Sequence, residues 1–173
     1  MEKFIAITLG LIFLGGPLCL SDAAAGAKTR IVKGGGVEVR VPDNFPPEII
    51  GGDKRDGYIK LDVRGQQGMC DDFFEIHWSN KELNYQDILS KEGYTFLFET
   101  PLEGLKAKVS GAKADFAEVV MRIKYPDGEV KEQNFLLASF YCKKTRRHFL
   151  ALAFLNTLPH LEFVNVLKTL KCS

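Results

Sequence analysis

Residues 117–155, AEVVMRIKYPDGEVKEQNFLLASFYCKKTRRHFLALAFL, decide the fold. Apolar and charged residues alternate along the first part of this stretch, which predicts a β-strand with one buried face. The Pro-Asp-Gly triplet at 126–128 predicts a hairpin turn, and a second strand follows over 130–141. The basic turn (residues 143–147) then reverses the chain into 149–155, a continuous apolar run that is typical of a central strand covered on both faces.

Further strands precede this antiparallel core. Each shows the alternation of apolar and polar side chains that a half-buried strand requires, and together they cover residues 37–41, 59–63 and 73–78. The segment between the first two, residues 43–57, contains two prolines and several glycines. This composition predicts a turn-rich connection without a strand of its own.

Two helices complete the predicted elements. Asn84 is a good N-cap residue for a short helix that ends near Gly93. After Pro159, apolar residues recur at the i, i+3, i+4, i+7 spacing between 163 and 170, which indicates an amphipathic helix. The sequence therefore predicts an α+β fold in which helices pack on a mostly antiparallel sheet.

The N-terminal region indicates export. Residues 1–25 have the charged start, apolar run and small terminal residues of a secretory signal peptide. Residues 26–36, GAKTRIVKGGG, predict a flexible N-terminal tail, and residues 37–173 are expected to form one α+β domain. Because no Asn-x-Ser/Thr sequon occurs, the predicted location is the periplasm, with extracellular secretion as the alternative.

Charge and hydropathy argue against two classes of partner. The formal net charge of the chain is +1, so nothing general indicates binding to nucleic acid. Beyond the signal peptide, no apolar run is long enough to span a bilayer, so no transmembrane segment is expected in the mature chain.

Three cysteines follow the predicted signal peptide, namely Cys70, Cys142 and Cys172. Cys142 ends a predicted strand, and one strand and one returning helix bring Cys172 back to the same end of the sheet. This order favours a Cys142–Cys172 disulfide. A Cys70–Cys172 pair and reduced thiols stay open, because connectivity cannot be read from sequence. The acidic neighbours of Cys70 disfavour a thiolate nucleophile, so a structural or pairing role is expected for it.

The basic turn is a candidate contact site. Lys143, Lys144, Arg146 and Arg147 cluster there, next to a histidine. One interpretation is contact with an anion, an acidic partner or anionic lipid headgroups. The alternative is an ordinary solvated turn, which is the usual place of a charge run.

A second set of residues contains donor types that bind metals, namely Met69, Cys70, Asp71, Glu75 and His77. Glu75 and His77 share one face of a predicted strand. However, the set mixes soft and hard donors without a standard spacing, so an ordinary polar strand face is favoured. We expect no metal and no other cofactor, and no catalytic motif occurs in the sequence.

Three stretches resemble the Mog1/PsbP-like superfamily: VEVRVPDNFPPEI, FFEIHWSNKELNYQDILSKEG and FLLASFYCKKTRRHFLALAFLNTLPHLEFVNVLKTLK. The resemblance implies an accessory or binding protein rather than an enzyme, because these relatives share no set of catalytic residues. It identifies no ligand. The expected function is therefore an exported, non-enzymatic accessory or protein-binding domain. The alternative is a carrier that holds a small apolar ligand between the sheet and a helix.

Overall fold

The computed structural model of the chain describes residues 28–45, 48–64, 71–89, 94–124, 128–154 and 160–173. The predicted signal peptide and Cys70 lie outside the described residues. Within them, no helix is long and apolar enough to cross a membrane.

The described residues form eleven strands and two helices. The strands are β1 (Thr29–Gly34), β2 (Val37–Pro42), β3 (Glu48–Gly52), β4 (Gly57–Arg64), β5 (Asp71–Ser79), β6 (Tyr94–Pro101), β7 (Ala107–Val109), β8 (Ala112–Lys124), β9 (Val130–Cys142), β10 (Arg147–Phe154) and β11 (Lys171–Cys172). The helices are α1 (Tyr85–Leu89) and α2 (His160–Lys168).

These strands build two antiparallel sheets. The large sheet has eight strands in the order β3-β4-β5-β10-β9-β8-β6, with β7 paired to β8 beside this path. The small sheet has three strands in the order β1-β2-β11. In the large sheet, Ala151 of β10 lies between Ala138 of β9 and Ile76 of β5, so β10 is a central strand as predicted.

Two core clusters cover the opposite faces of the large sheet. Odd-numbered residues of 149–153 belong to the cluster that contains Phe163 of α2, and we call this side the α2 face. Even-numbered residues of 150–154 belong to the cluster that contains Tyr85 of α1, and this side is the α1 face. Since side chains alternate along a strand, the continuous apolar run of β10 is explained by burial on both faces.

The predicted α+β class is wrong, because the protein is mostly β. The two described helices have five and nine residues, which is too short for them to form helical layers over eight strands. In addition, the small sheet provides apolar residues such as Val39 and Val41 to the cluster on the α2 face. This face is therefore covered by a second sheet together with α2.

Strands also occur in segments that were predicted to be a flexible tail or a connection without a strand. Thr29–Gly34, within the predicted flexible tail, pairs with β2 through a turn at Gly35 and Gly36. Both glycines have positive φ, 54° and 76°, which is the backbone conformation of a tight hairpin turn. Glu48–Gly52, within the predicted connection, pairs with β4 at the edge of the large sheet.

The start of α1 confirms the predicted N-cap. The Asn84 side-chain oxygen accepts a hydrogen bond from the Gln86 backbone N–H at 2.9 Å. This contact satisfies one of the free amides at the beginning of the helix.

Candidate binding site at the end of the β9–β10 hairpin

A cavity of about 690 Å³ opens where β9 turns into β10, and we call it the strand-end cavity. Its floor consists of four polar side chains at the ends of neighbouring strands, namely Asp115, Ser139, Tyr141 and His148. Asp115 lies opposite Ser139 and Tyr141 lies opposite His148 in the strand register. All four lie on the α1 face, because they alternate with residues of the other cluster.

Two turns form the walls of this cavity. The serine wall (residues 110–113) belongs to the β7–β8 turn and the start of β8. The lysine wall (Lys143 and Lys144) belongs to the basic turn. Residues 82–83, which precede α1, also line the cavity, as do Phe140 and Phe149.

Lys143 and Lys144 differ from Lys113, the third lysine at the cavity, in whether an acidic side chain lies beside them. Lys113 Nζ lies 2.9 Å from Asp115 Oδ1, so its charge has an acidic neighbour. Lys143 and Lys144 are exposed, and the part of the chain that the structure describes gives neither of them an ion-pair partner. The rim of the cavity therefore presents two positive charges that no described acidic side chain pairs with, and Glu82 is an exposed acidic residue on the same lining.

The structure separates the four predicted contact residues of the basic turn. Lys143 and Lys144 line the strand-end cavity. Arg146 is exposed, with a φ of 55°, and does not line it. Arg147 is only 3% exposed, so the prediction that it contacts an anion or a partner is not supported by its position.

Arg147 is buried because backbone oxygens surround its guanidinium group. Nη1 donates to the carbonyls of Gly35 and Lys54 at 2.7 and 3.0 Å. Nη2 donates to the carbonyls of Gly36 and Ser173 at 3.2 and 3.4 Å. Burial lowers the pKa of Arg147 below its ordinary value, but an arginine stays charged in proteins. The residue therefore joins three chain segments to β10.

The predicted cysteine pairing is present. Cys142 and Cys172 lie at disulfide distance, and both are buried. Cys142 directly precedes the lysine wall. Ser110 of the serine wall contacts the other half of the pair, since its Oγ accepts the Cys172 N–H at 3.2 Å and lies 2.9 Å from Cys172 Sγ. The disulfide therefore lies directly behind both walls of the cavity.

A second polar cluster lies further along the α1 face. Glu75 of β5 is 3% exposed. Its Oε2 lies 2.7 Å from His77 Nε2, and its Oε1 lies 2.6 Å from Lys60 Nζ. The Lys60 contact has the distance of an ion pair without the alignment of a hydrogen bond. The ring of Tyr58 lies beside His77, with centroids 5.9 Å apart.

Two opposing effects act on the Glu75 carboxyl. Burial raises its pKa, since a charged group loses its water. The hydrogen bond from His77 and the positive charge of Lys60 outweigh burial, so the pKa of Glu75 lies below its ordinary value. Glu75 is therefore a buried carboxylate, and His77 must direct a ring N–H toward it.

The structure gives no support to a metal at this cluster. Among the described residues, no three His, Cys, Asp or Glu side chains come together in a way that could hold a metal ion. Glu75 and His77 contact each other, as their shared strand face suggested. Met69 and Cys70 lie outside the described residues.

The sequence interpretation missed the floor of the cavity. The available signal was the position of Ser139, Tyr141 and His148, which occupy alternate places on the two strands that flank the basic turn. Residues with this spacing face the same side of a hairpin, so they could have been grouped with Lys143 and Lys144. Asp115 and the serine wall could not be added to this group from sequence alone, because their position depends on the pairing of β8 with β9.

A comparison with protein families and one with curated proteins find no relative. No family model matches the chain, and a search of curated proteins finds no significant match. The resemblance to the Mog1/PsbP-like superfamily stays a prediction, and the function has to be inferred from the site itself.

Proposed function

We propose that this chain is an exported, non-enzymatic binding domain whose strand-end cavity receives an acidic segment of a partner protein. The single observation that carries the proposal is the lysine wall. Lys143 and Lys144 present two positive charges that no described acidic side chain pairs with, beside a floor of hydroxyl and imidazole groups in which the Asp115 carboxylate is paired with Lys113. Carboxylates form their strongest hydrogen bonds with such charged donors.

The size of the cavity supports a short segment as the ligand. A volume of about 690 Å³ lies within the usual range for small-ligand sites, so it accommodates a few side chains but not a folded surface. The cavity is open at the strand ends, where an extended chain could enter. The Glu82 carboxyl on the lining would repel a wrongly placed acidic residue and so contribute specificity.

The floor contains the residue types of a nucleophilic triad, but their contacts favour binding over catalysis. Asp115 contacts Lys113 and is largely exposed, so it does not orient a histidine. The His148 ring packs against Tyr141 with centroids 4.8 Å apart. Within the described residues, no hydrogen bond joins Ser139 to His148, whereas an activated serine requires such a bond.

The packing near α2 favours this proposal over an apolar-ligand carrier. Phe163 of α2 contacts Phe74 and Phe116 edge to face, with centroid distances of 6.1 and 6.4 Å. These rings fill the space between the large sheet and the helix where an apolar ligand was expected to bind. The export part of the proposal depends on the signal-peptide pattern of residues 1–25, and a disulfide fits an oxidising compartment.

Removing the charges of the lysine wall should weaken binding of an acidic peptide. A fluorescein-labelled hexaglutamate peptide, titrated in fluorescence anisotropy, should bind the wild-type protein and lose affinity as salt is added. The K143Q/K144Q variant should bind it about fivefold more weakly or worse, because two exposed charge contacts are lost. The matched control K124Q/K168Q removes the same net charge away from the cavity and should bind like the wild type.

Two results would contradict the proposal. One is equal weakening in both double variants, which would mean that the peptide responds to net charge alone. The other is binding to vesicles of phosphatidylglycerol without any binding to hexaglutamate, which would assign the basic turn to a membrane surface.

A further inference from the structure

We propose that Ser110 is a positioning residue that holds the serine wall to the disulfide, so that the Cys142–Cys172 bond sets the spacing of the two walls of the strand-end cavity. This inference rests on the proposed function for its ligand. The coupling between the walls can be tested without any ligand.

The backbone of Ser110 gives the first reason. Ser110 and Gly111 form the two-residue turn between β7 and β8, with φ values of 50° and 84°. Two successive positive φ values are typical of a type I′ turn, which favours Asn or Gly at its first position. A serine there is strained, so its hydroxyl is expected to have a use that compensates the strain.

The contacts of the Ser110 hydroxyl give the second reason. Oγ accepts the backbone N–H of Cys172 at 3.2 Å. It also lies 2.9 Å from Cys172 Sγ, and because a disulfide sulfur carries no proton, the hydroxyl is the donor in this contact. The side chain therefore bonds to both the backbone and the sulfur of one half of the disulfide.

The position of Cys142 links this contact to the opposite wall. Cys142 is the last residue of β9, and Lys143 follows it directly. Its carbonyl accepts the Thr145 N–H at 3.3 Å, which closes the basic turn. A continuous path thus joins the serine wall to the lysine wall through Ser110, Cys172 and Cys142.

Hydrogen exchange of the ligand-free protein tests this path. In the S110G variant, with the disulfide intact, the Cys172 and Thr145 amides should exchange about fivefold faster, the factor that corresponds to one lost hydrogen bond. Amides of the central strand β10 should keep their wild-type rates. The control T100A removes an exposed hydroxyl from β6 and should change neither wall.

Replacing Ser110 with glycine distinguishes a positioning role of its hydroxyl from a role of the residue in the turn alone. Glycine suits the positive φ better than serine does, so a residue that served only the turn would be replaced without loss. The S110A variant keeps a Cβ and should show the same faster exchange. Dithiothreitol reduces the disulfide by transferring two electrons and two protons to the cystine sulfurs, and is itself oxidised to a cyclic disulfide. This reduction should speed amide exchange at Thr145 at least as much as S110G does.

The ligand measurement separates this proposal from the previous one. If S110G speeds exchange at Thr145 and also weakens hexaglutamate binding about threefold or more, both proposals are supported. If exchange at Thr145 increases in S110G but the wild-type protein binds no hexaglutamate, the coupling between the walls is supported and the proposed function is refuted. If Cys172 exchanges faster in S110G while Thr145 does not, the coupling between the walls is refuted.

Discussion

Replacing Arg147 with Met should lower the free energy of unfolding by about 3 kcal/mol, because four backbone oxygens around this buried side chain would lose their donor. The guanidinium group donates hydrogen bonds to the backbone oxygens of four residues. These are Gly35 and Gly36 in the β1–β2 turn, Lys54 in the β3–β4 connection, and Ser173 after β11. A methionine side chain fills similar space but offers no donor. The variant would therefore separate the small sheet from the end of the large one.

A lysine at the same position should recover only part of the loss. The R147K variant is expected to be about 2 kcal/mol less stable than the wild type, since one ammonium group cannot replace a planar fork with several donors. The stacking of the guanidinium on Phe149, with 5.4 Å between its central carbon and the ring centroid, would also be lost.

Arg146 provides a matched control for both variants. It carries the same side chain one residue earlier and is exposed. R146M should therefore change the free energy of unfolding by no more than about 0.5 kcal/mol. Urea unfolding of the three variants with the disulfide intact measures these differences. Equal stability of R147M and R146M would contradict the structural role assigned to Arg147.

Replacing Glu75 with Gln should lower the free energy of unfolding by about 2 kcal/mol near neutral pH. The substitution keeps the shape of the side chain but removes the charge that pairs with Lys60 and His77. Breaking a buried ion pair from one side leaves the partner charge uncompensated. The loss is expected to be moderate, because Lys60 is partly exposed and can turn toward solvent.

The acid limb of the stability curve gives a more specific test of Glu75. Because the folded-state pKa of Glu75 lies below its ordinary value, the unfolded chain binds more protons in the interval between the two values. The stabilisation is complete above the ordinary pKa and is lost as the pH falls through that value toward the folded one. Unfolding midpoints of wild type and E75Q should therefore converge as the pH falls below the ordinary pKa of a glutamate.

An exposed glutamate controls for the loss of charge in general. Glu103 lies between β6 and β7 and is exposed. E103Q should follow the wild-type curve at every pH. A constant difference between wild type and E75Q along the whole acid limb would show that Glu75 is not the stabilising carboxylate described above.

Several elements follow directly from sequence pattern. The continuous apolar run before residue 155 identified β10 as a central strand, since only a strand covered on both faces buries every side chain. The cap at Asn84 followed from local chemistry. The order of elements favoured the pairing of Cys142 with Cys172 but left a Cys70–Cys172 pair and reduced thiols open, and the structure shows the first pairing.

The fold class failed for a physical reason. In the sequence, the three glycines at 34–36 resembled a loose tail, but Gly35 and Gly36 make the tight turn that lets β1 pair with β2. Such short strands at an edge carry little periodicity of their own. Their stability comes from pairing and from the burial of single residues such as Val32.

The sequence predicted only those parts of the site whose residues are neighbours along the chain. Lys143 and Lys144 lie together in one turn, so their charge is visible without a structure. The burial of Arg147 is not visible, because the carbonyls that surround it come from distant segments. The same holds for Lys60, which meets Glu75 only through the register of β4 and β5.

The most direct test of the central claim is a map of where an acidic peptide binds. Unlabelled hexaglutamate, added to the ¹⁵N-labelled protein, should shift amide signals at both walls and at the floor, namely residues 110–113, 139–144 and 148. The shifts should saturate and should weaken with added salt. Saturable shifts centred on Lys124 or Lys168, or no shifts around the strand-end cavity, would contradict the account.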